Sequence, residues 1–201
     1  MPVTLAGNGI STQLKTYMRQ QILQILVFIL LPFTLFGQLN HADTVRVFYL
    51  GGQSNMDGYG YNADLPDSLK GGYDNVWIFH GNAVADNEKG GGLGKWENLK
   101  AGHGTGFYAD ASANHLSDRF GIELSFAKHL QKLYPGEKIA LIKYSRSGSS
   151  IDSSAARWFG SWEADFKGGQ GVNQYDHFLS TIRHASDTRD IDGDGNNDYF
   201  K

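Results

Sequence analysis

The chain of 201 residues contains no cysteine. That excludes a disulfide framework, a thiolate metal site and a lipid-anchored cysteine. It leaves export open, because a domain of this size is stable without covalent staples. Clustered positive charge is also missing: 18 Lys and Arg are scattered among 21 Asp and Glu, for a net charge of −3. A nucleic-acid binder would carry a basic patch, so that class is set aside. No apolar run reaches the roughly 20 residues that a bilayer-spanning helix needs. The run from Ile25 to Phe36 is 12 residues long and is broken by Pro32. Glycine, by contrast, is plentiful at 26 residues, well above its average usage of about 7%. With 40% hydrophobic residues, the chain suits one loop-rich globular domain.

The short apolar run follows Arg19 and precedes Gly37 and a polar stretch. That is the layout of a signal peptide, expected over residues 1–38, with residues 1–17 an over-called leader and Met18 the start. A buried hydrophobic helix is the alternative, but the run lacks polar positions at helical spacing. Loss of residues 1–38 would remove Lys15 and Arg19 and no acid, leaving 16 basic residues against 21 acids and a net charge of −5. The protein is expected to be secreted or periplasmic, without a stable membrane span after cleavage. Residues 39–201 would form the N-terminal portion of a single domain.

Beyond this segment the pattern alternates. "TVRVFYLGG" (Thr44 to Gly52) and "NVWIF" (Asn75 to Phe79) are rich in β-branched and aromatic residues and read as strands. "KIALIKY" (Lys138 to Tyr144) is nearly all apolar, as in a strand buried on both faces. Gly121 to Glu137 places Leu124, Ala127, Leu130 and Leu133 at helical spacing and ends at Pro135-Gly136. Gln174 to Ala185 predicts a second helix with Tyr175, Phe178, Leu179 and Ile182 on one face. Gly81 to Gly106 reads as one long loop. Strand, helix, strand and helix in this order predict an α/β fold with a parallel sheet.

In such sheets, ligands bind beyond the carboxyl ends of the strands. Two polar turns fall there, "GGQSNMDG" after the first strand and "SRSGSSI" after "KIALIKY". One offers a serine, the other glycine N–H groups, a pairing suited to acyl transfer. Ser54 as a mere helix cap is the structural alternative.

The residues "GGQSNMDG" resemble the nucleophile block of the SGNH-type esterases, in particular the sialate O-acetylesterase and acetylxylan esterase group. "GIELSFAKHL" is similar to that family's Gly-Pro-Glu-Leu segment, with Ile122 in place of proline. "KIALIKYSRSGSSI" resembles the strand and turn that supply an oxyanion glycine. The resemblance runs from Val47 to about Ala185 and implies a three-layer α/β/α fold of SGNH or flavodoxin-like type. It implies Ser54 as nucleophile and oxyanion donor and Gly148 as second donor, with Ser147 where the family often has glycine. Gln53, Asn55 and Glu123 would stand behind them, Glu123 serving equally well as an acid at a helix N-terminus. The implied chemistry is deacetylation of a sugar hydroxyl through an acyl-serine, with no metal or other cofactor and an acetylated carbohydrate as partner.

The resembled family places its base in an Asp-x-x-His segment near the C-terminus, after a Gln-Gly-Glu-Ser-type block, and neither occurs here. None of His41, His80, His103, His115, His129, His177 and His184 has an aspartate three residues earlier. The sequence therefore reads as a truncated, incomplete version of the fold with impaired catalysis. His177, beside Asp176, and His103 are remote substitutes, each more naturally a surface histidine or a loop residue. A non-catalytic carbohydrate-binding remnant, using Tyr59, Tyr61, Trp158 and Trp162 for stacking, is the rival reading; ordinary packing is the simpler role for these rings. "DIDGDGNND" sets Asp190, Asp192, Asp194 and Asp198 as in the start of a calcium loop, but Lys201 occupies the twelfth position. A solvated acidic turn accounts for it more simply. Ser125 and Lys128 form a Ser-x-x-Lys match inside a helix, read as chance.

Overall fold

The computed structural model describes Tyr17 and residues 44–86, 88–110, 112–167 and 171–201. The expected signal segment, Tyr17 apart, and His41 lie outside the described residues. In chain order the elements are β1 (Thr44–Gly52), α1 (Ser54–Asp57), β2 (Gly60–Tyr61), β3 (Val76–His80), β4 (Trp96–Asn98), β5 (Tyr108–Ala109) and β6 (Asn114–His115). There follow β7 (Arg119–Phe120), α2 (Glu123–Leu133), β8 (Lys138–Ser145), α3 (Gln174–Asp187) and β9 (Tyr199–Phe200).

The main sheet has the order β4-β3-β8-β1-β9. Its centre is β8, buried from Ile139 to Ser145, which is why that stretch is apolar without alternation. β8 runs parallel to β1 and β3, and β9 runs parallel to β1. The sheet is not wholly parallel as expected: β4, inside the anticipated long loop, pairs antiparallel with β3. A strand added at an edge needs no crossover helix, so an antiparallel return suffices.

Successive residues of β8 face opposite sides of the sheet. Ile139 and Leu141 pack with Leu124, Ala127 and Leu130 of α2. On the other side, Ile142 packs with Phe79 and with Ala185 of α3. The result is helix, sheet and helix in three layers.

Helix α3 departs from its expected face. It buries Gln174, His177, Thr181 and Ala185, whereas Tyr175 is exposed. The loop from Gly81 to Gly94 lies across it and brings backbone rather than side chains: Ser180 Oγ donates to Gly91 O at 2.9 Å. Gln174 accepts from the Tyr144 hydroxyl at 2.5 Å. Polar residues are therefore buried where the neighbouring layer is polar. No described helix is long and apolar enough to cross a membrane.

Candidate active site

β1 ends at Gly52, and Ser54 opens the one-turn helix α1. Gln53, at φ −110° and ψ −141°, turns the chain. Its amide oxygen accepts from Ser54 N at 2.8 Å and from Ser54 Oγ at 2.6 Å. The Ser54 hydroxyl is thus donated to a neutral amide, and its backbone N–H, expected to face an oxyanion, is held by the same oxygen. A ligand carbonyl at that N–H would have to displace the Gln53 side chain, which is exposed.

A groove of about 320 Å3 opens at Ser54, walled by Asn55, Tyr59, Phe120, Ile122 and Ser125. Its floor includes Gly58 and Gly121. Gly58 has φ +93°, and a Cβ there would stand 2.3 Å from the Gly121 backbone. The close approach of these two segments therefore requires glycine.

The second turn adjoins the first. The strand register sets Gly52 opposite Ser145, and Arg146 N donates to Gly52 O at 3.1 Å. Asp57 reaches across from α1. Its carboxylate accepts from Ser147 N at 3.2 Å, Ser147 Oγ at 2.5 Å and Ser145 Oγ at 3.4 Å. Ser147, standing where the resembled pattern has glycine, is the tie between the turns. Gly148 has φ +76°, and a Cβ on it would lie 2.4 Å from the Phe159 ring. Its N–H has no protein acceptor among the described residues.

Beneath both turns sits a buried ion pair. Lys143 Nζ donates to Glu123 Oε2 at 2.7 Å, and both side chains are fully buried. The same ammonium donates to His103 O at 2.7 Å and, at 3.4 Å, to Asp57 O at the end of α1. Glu123 Oε1 in turn accepts from Gly121 N at 2.8 Å. Glu123 is thus the first residue of α2 and also a link from the strand to the floor of the groove. The sequence offered a signal for this, a lysine in the middle of an apolar strand, which has to find a buried carboxylate.

The histidines are disposed as follows. His80 and His103 are buried, and His80 stacks on Phe107 at 4.0 Å. Burial, with the Lys143 charge next, holds His80 well below its ordinary pKa and brings His103 down to about 3. Glu97 lies 3.5 Å from His103 Nε2, but burial outweighs that attraction. His177 is not at the surface as expected; it is 8% exposed, with Asp86 3.8 Å from Nε2. Burial lowers its pKa too, against the pull of Asp86. His115 Nε2 lies 2.8 Å from Asp110 in the exposed β5–β6 hairpin. Two hydrogen bonds from Ser112, with others from His115 and Ala113, hold the Asp110 carboxyl well below its usual range. Sequence reasoning missed this pair, whose spacing is five rather than three. None of these imidazoles lines the Ser54 groove.

The remaining candidates separate. Trp158 and Tyr59 are 70% and 52% exposed. Trp162 instead packs on Tyr144 and Phe178, and Arg119 covers Tyr61 at 3.4 Å. Ser125 lies at the groove, but Lys128 Nζ donates to Gly72 O, away from it. Asp190, Asp192 and Asp194 do converge, within 4.8 Å of one another. Their oxygens accept from the N–H groups of Gly193, Gly195, Asp194 and Asn196, and Lys138 Nζ lies 2.6 Å from Asp192 and 3.5 Å from Asp198. Asp198 lies apart from the three and accepts from Ile191 N at 2.8 Å.

Residues 44–193 match the family model described as a carbohydrate esterase, sialic acid-specific acetylesterase. The chain belongs to this family. It is similar to two solved structures, a protein of Arabidopsis thaliana and NanS. The first is 15% identical over 72% of this chain and 53% of that one, with a TM-score of 0.44. NanS is 22% identical over 71% of this chain and 49% of that one, with a TM-score of 0.45. The chain thus spans about half the length of these relatives. No curated protein sequence matches it. In this acetylesterase family member, the two turns at the ends of β1 and β8 carry the candidate chemistry.

Proposed function

We propose that the chain is the nucleophile-bearing portion of an exported carbohydrate O-acetylesterase. The observation that supports this best is the adjacency of Ser54, at the mouth of a groove, to the turn bearing Gly148. Ser54 Oγ attacks the acetyl carbon, and its proton passes to a base. The carbonyl oxygen, now negative, is held by the N–H groups of Ser54 and Gly148 once Gln53 withdraws. The bond to the sugar oxygen then breaks, that oxygen takes the proton, and water releases acetate from the serine. Gln53 and Asn55 shape the turn, and Glu123 acts through Lys143 and Gly121.

No described imidazole lines the groove to take the Ser54 proton. The described imidazoles are buried, bound to Asp110 or away from the groove. Turnover by this chain alone is therefore impaired, since removing the histidine of a working triad costs up to about 10⁶-fold in kcat. Exposed Trp158 and Tyr59 favour the rival, a carbohydrate-binding remnant without catalysis. A serine-directed phosphonate separates the two. Purified protein should be labelled at Ser54, and Ser54→Ala should abolish both the label and any p-nitrophenyl acetate hydrolysis. An intact protein that binds sugar yet leaves the probe untouched overturns the esterase reading.

A further inference from the structure

Among the described residues, no charged side chain lines the groove at Ser54. Charges in adjoining positions are engaged elsewhere. Arg119, next to Phe120, lays its guanidinium 3.4 Å over the Tyr61 ring, donates to Tyr59 O at 2.9 Å and pairs with Asp118. Glu123, next to Ile122, is bound to Lys143 and to Gly121 N. Two of the groove's hydroxyls are engaged as well: Ser54 Oγ donates to Gln53 Oε1, and Ser125 Oγ donates to Ile122 O at 3.1 Å.

Much of what remains to meet a ligand is apolar, and its backbone is held. The β2–β7 ladder pairs Phe120 with Gly60, and a Cβ on Gly60 would stand 2.6 Å from the Phe120 ring. Ile122 is 43% exposed although its carbonyl is fixed, accepting from Phe126 N at 2.9 Å as well as from Ser125. Tyr59 is exposed on the same groove. Size points the same way as chemistry. An acetyl group fills roughly three water volumes, ~90 Å3, whereas the groove offers about 320 Å3. A sugar ring would fill the remainder, but it brings several hydroxyls, and each one buried without a partner weakens binding. An alkyl chain brings none, and apolar walls favour it.

We propose that this groove takes the acyl chain of the ester, and that it fits a neutral aliphatic chain of about four to six carbons better than acetyl. This rests on Ser54 being the esterase site. Phe120, Ile122 and Tyr59 set the chain-length preference, and the sugar is left outside the groove.

Binding of unreactive amides tests it independently of turnover. The full chain and its Ile122→Asn and Tyr59→Ser variants are titrated, by ligand-detected NMR, with acetamide, butanamide, hexanamide and methyl β-D-glucopyranoside. Each methylene moved wholly from water to an apolar wall is worth about fourfold in affinity. Hexanamide, half buried along its length, should therefore bind at least about tenfold more tightly than acetamide. Either variant should cut that ratio to about threefold or less, and both side chains are exposed enough to be replaced without unfolding the chain. Hexanamide should also slow labelling of Ser54 by the phosphonate, whereas acetamide at the same concentration should not. Equal binding of the three amides, a ratio that survives both variants, or no binding of any amide overturns the acyl groove. So does protection of Ser54 by the glycoside and not by hexanamide, which would give the groove to the sugar. A labelled Ser54 without chain-length preference sinks the acyl groove alone. A chain-length preference lost in the variants, with Ser54 unlabelled in the free protein, sinks the catalytic reading and leaves an apolar binding groove.

Discussion

The turns after β1 and β8 meet at the same end of the sheet, yet they are held by different means. The first is carried on buried charge: Lys143 lies below it and binds Asp57 O, while Glu123 binds the Gly121 N–H at the floor of the groove. The second has no helix of its own, and the ion pair, though it lies beneath both turns, sends no hydrogen bond to it. It is tethered sideways, by Asp57 onto Ser147 and by Phe159 against Gly148. The difference matters because a buried ion pair is costly to break by halves, whereas a partly buried hydrogen-bonded tie costs less. The serine turn should therefore be stiff and the glycine turn adjustable, as a site needs if one turn holds the nucleophile and the other accommodates substrate.

The largest effect should come from Lys143→Met. It leaves the Glu123 carboxylate buried without its partner, which costs about 3–5 kcal/mol, read as a fall in the denaturant midpoint. Lys143→Met with Glu123→Leu should recover most of that stability, since an apolar pair of similar volume is tolerated. If the pair only stabilised the fold, the double variant would label at Ser54 as fast as the parent. Slower labelling in a stable double variant identifies the pair as a positioning device for the serine turn.

The platform of the first turn also carries a pH signature. His103, whose carbonyl receives Lys143, has its pKa brought down to about 3 by burial, from an ordinary 6.5. Below pH 6.5 the unfolded chain takes up a proton that the folded chain refuses, so stability falls as pH falls from 6.5 towards 3. The slope is about 1.4 kcal/mol per pH unit for one such group. His80 adds in the same direction. His103→Phe, which keeps a ring against Phe107, should make the acid limb of the stability profile shallower by about one proton. An unchanged slope would show that His103 is reached by solvent.

Much of the frame was legible because it rests on local pattern. The β1 range, the apolar β8 and most of the core stripe of α2 follow from alternation and helical spacing alone; Leu133, expected in that stripe, is 56% exposed in the last turn of the helix. The family was legible through the block of residues around Ser54. Lys143 was hidden by its context, because an apolar strand conceals a fully buried charge that needs a distant partner. The buried face of α3 was misread for a related reason: glycines of the covering loop pack on His177 and Thr181, and Gln174 is bound to the Tyr144 hydroxyl and Phe159 O. No periodicity within the helix reports that cover. Asp57 was unreadable as a tether, since its contact lies 90 residues away at Ser147.

The smallest effect should fall on the second turn. Ser147→Ala removes the hydroxyl bound to Asp57 but keeps the backbone bond from Ser147 N at 3.2 Å. The loss is about 1 kcal/mol, the net value of one hydrogen bond at a partly exposed site. That fall in stability is several times smaller than the one expected for Lys143→Met, since neither group is deeply buried. If the turn is adjustable, the consequence appears in ligand handling instead. Ser147→Ala should weaken capture of the phosphonate, whose anionic oxygen the Gly148 N–H would hold in the proposed mechanism, while a small neutral thermal probe sees no change. Should Ser147→Ala cost as much stability as Lys143→Met, the contrast between a stiff first turn and an adjustable second one would be lost. The two turns would then behave as one rigid block, with Asp57 as its hinge pin rather than its tether.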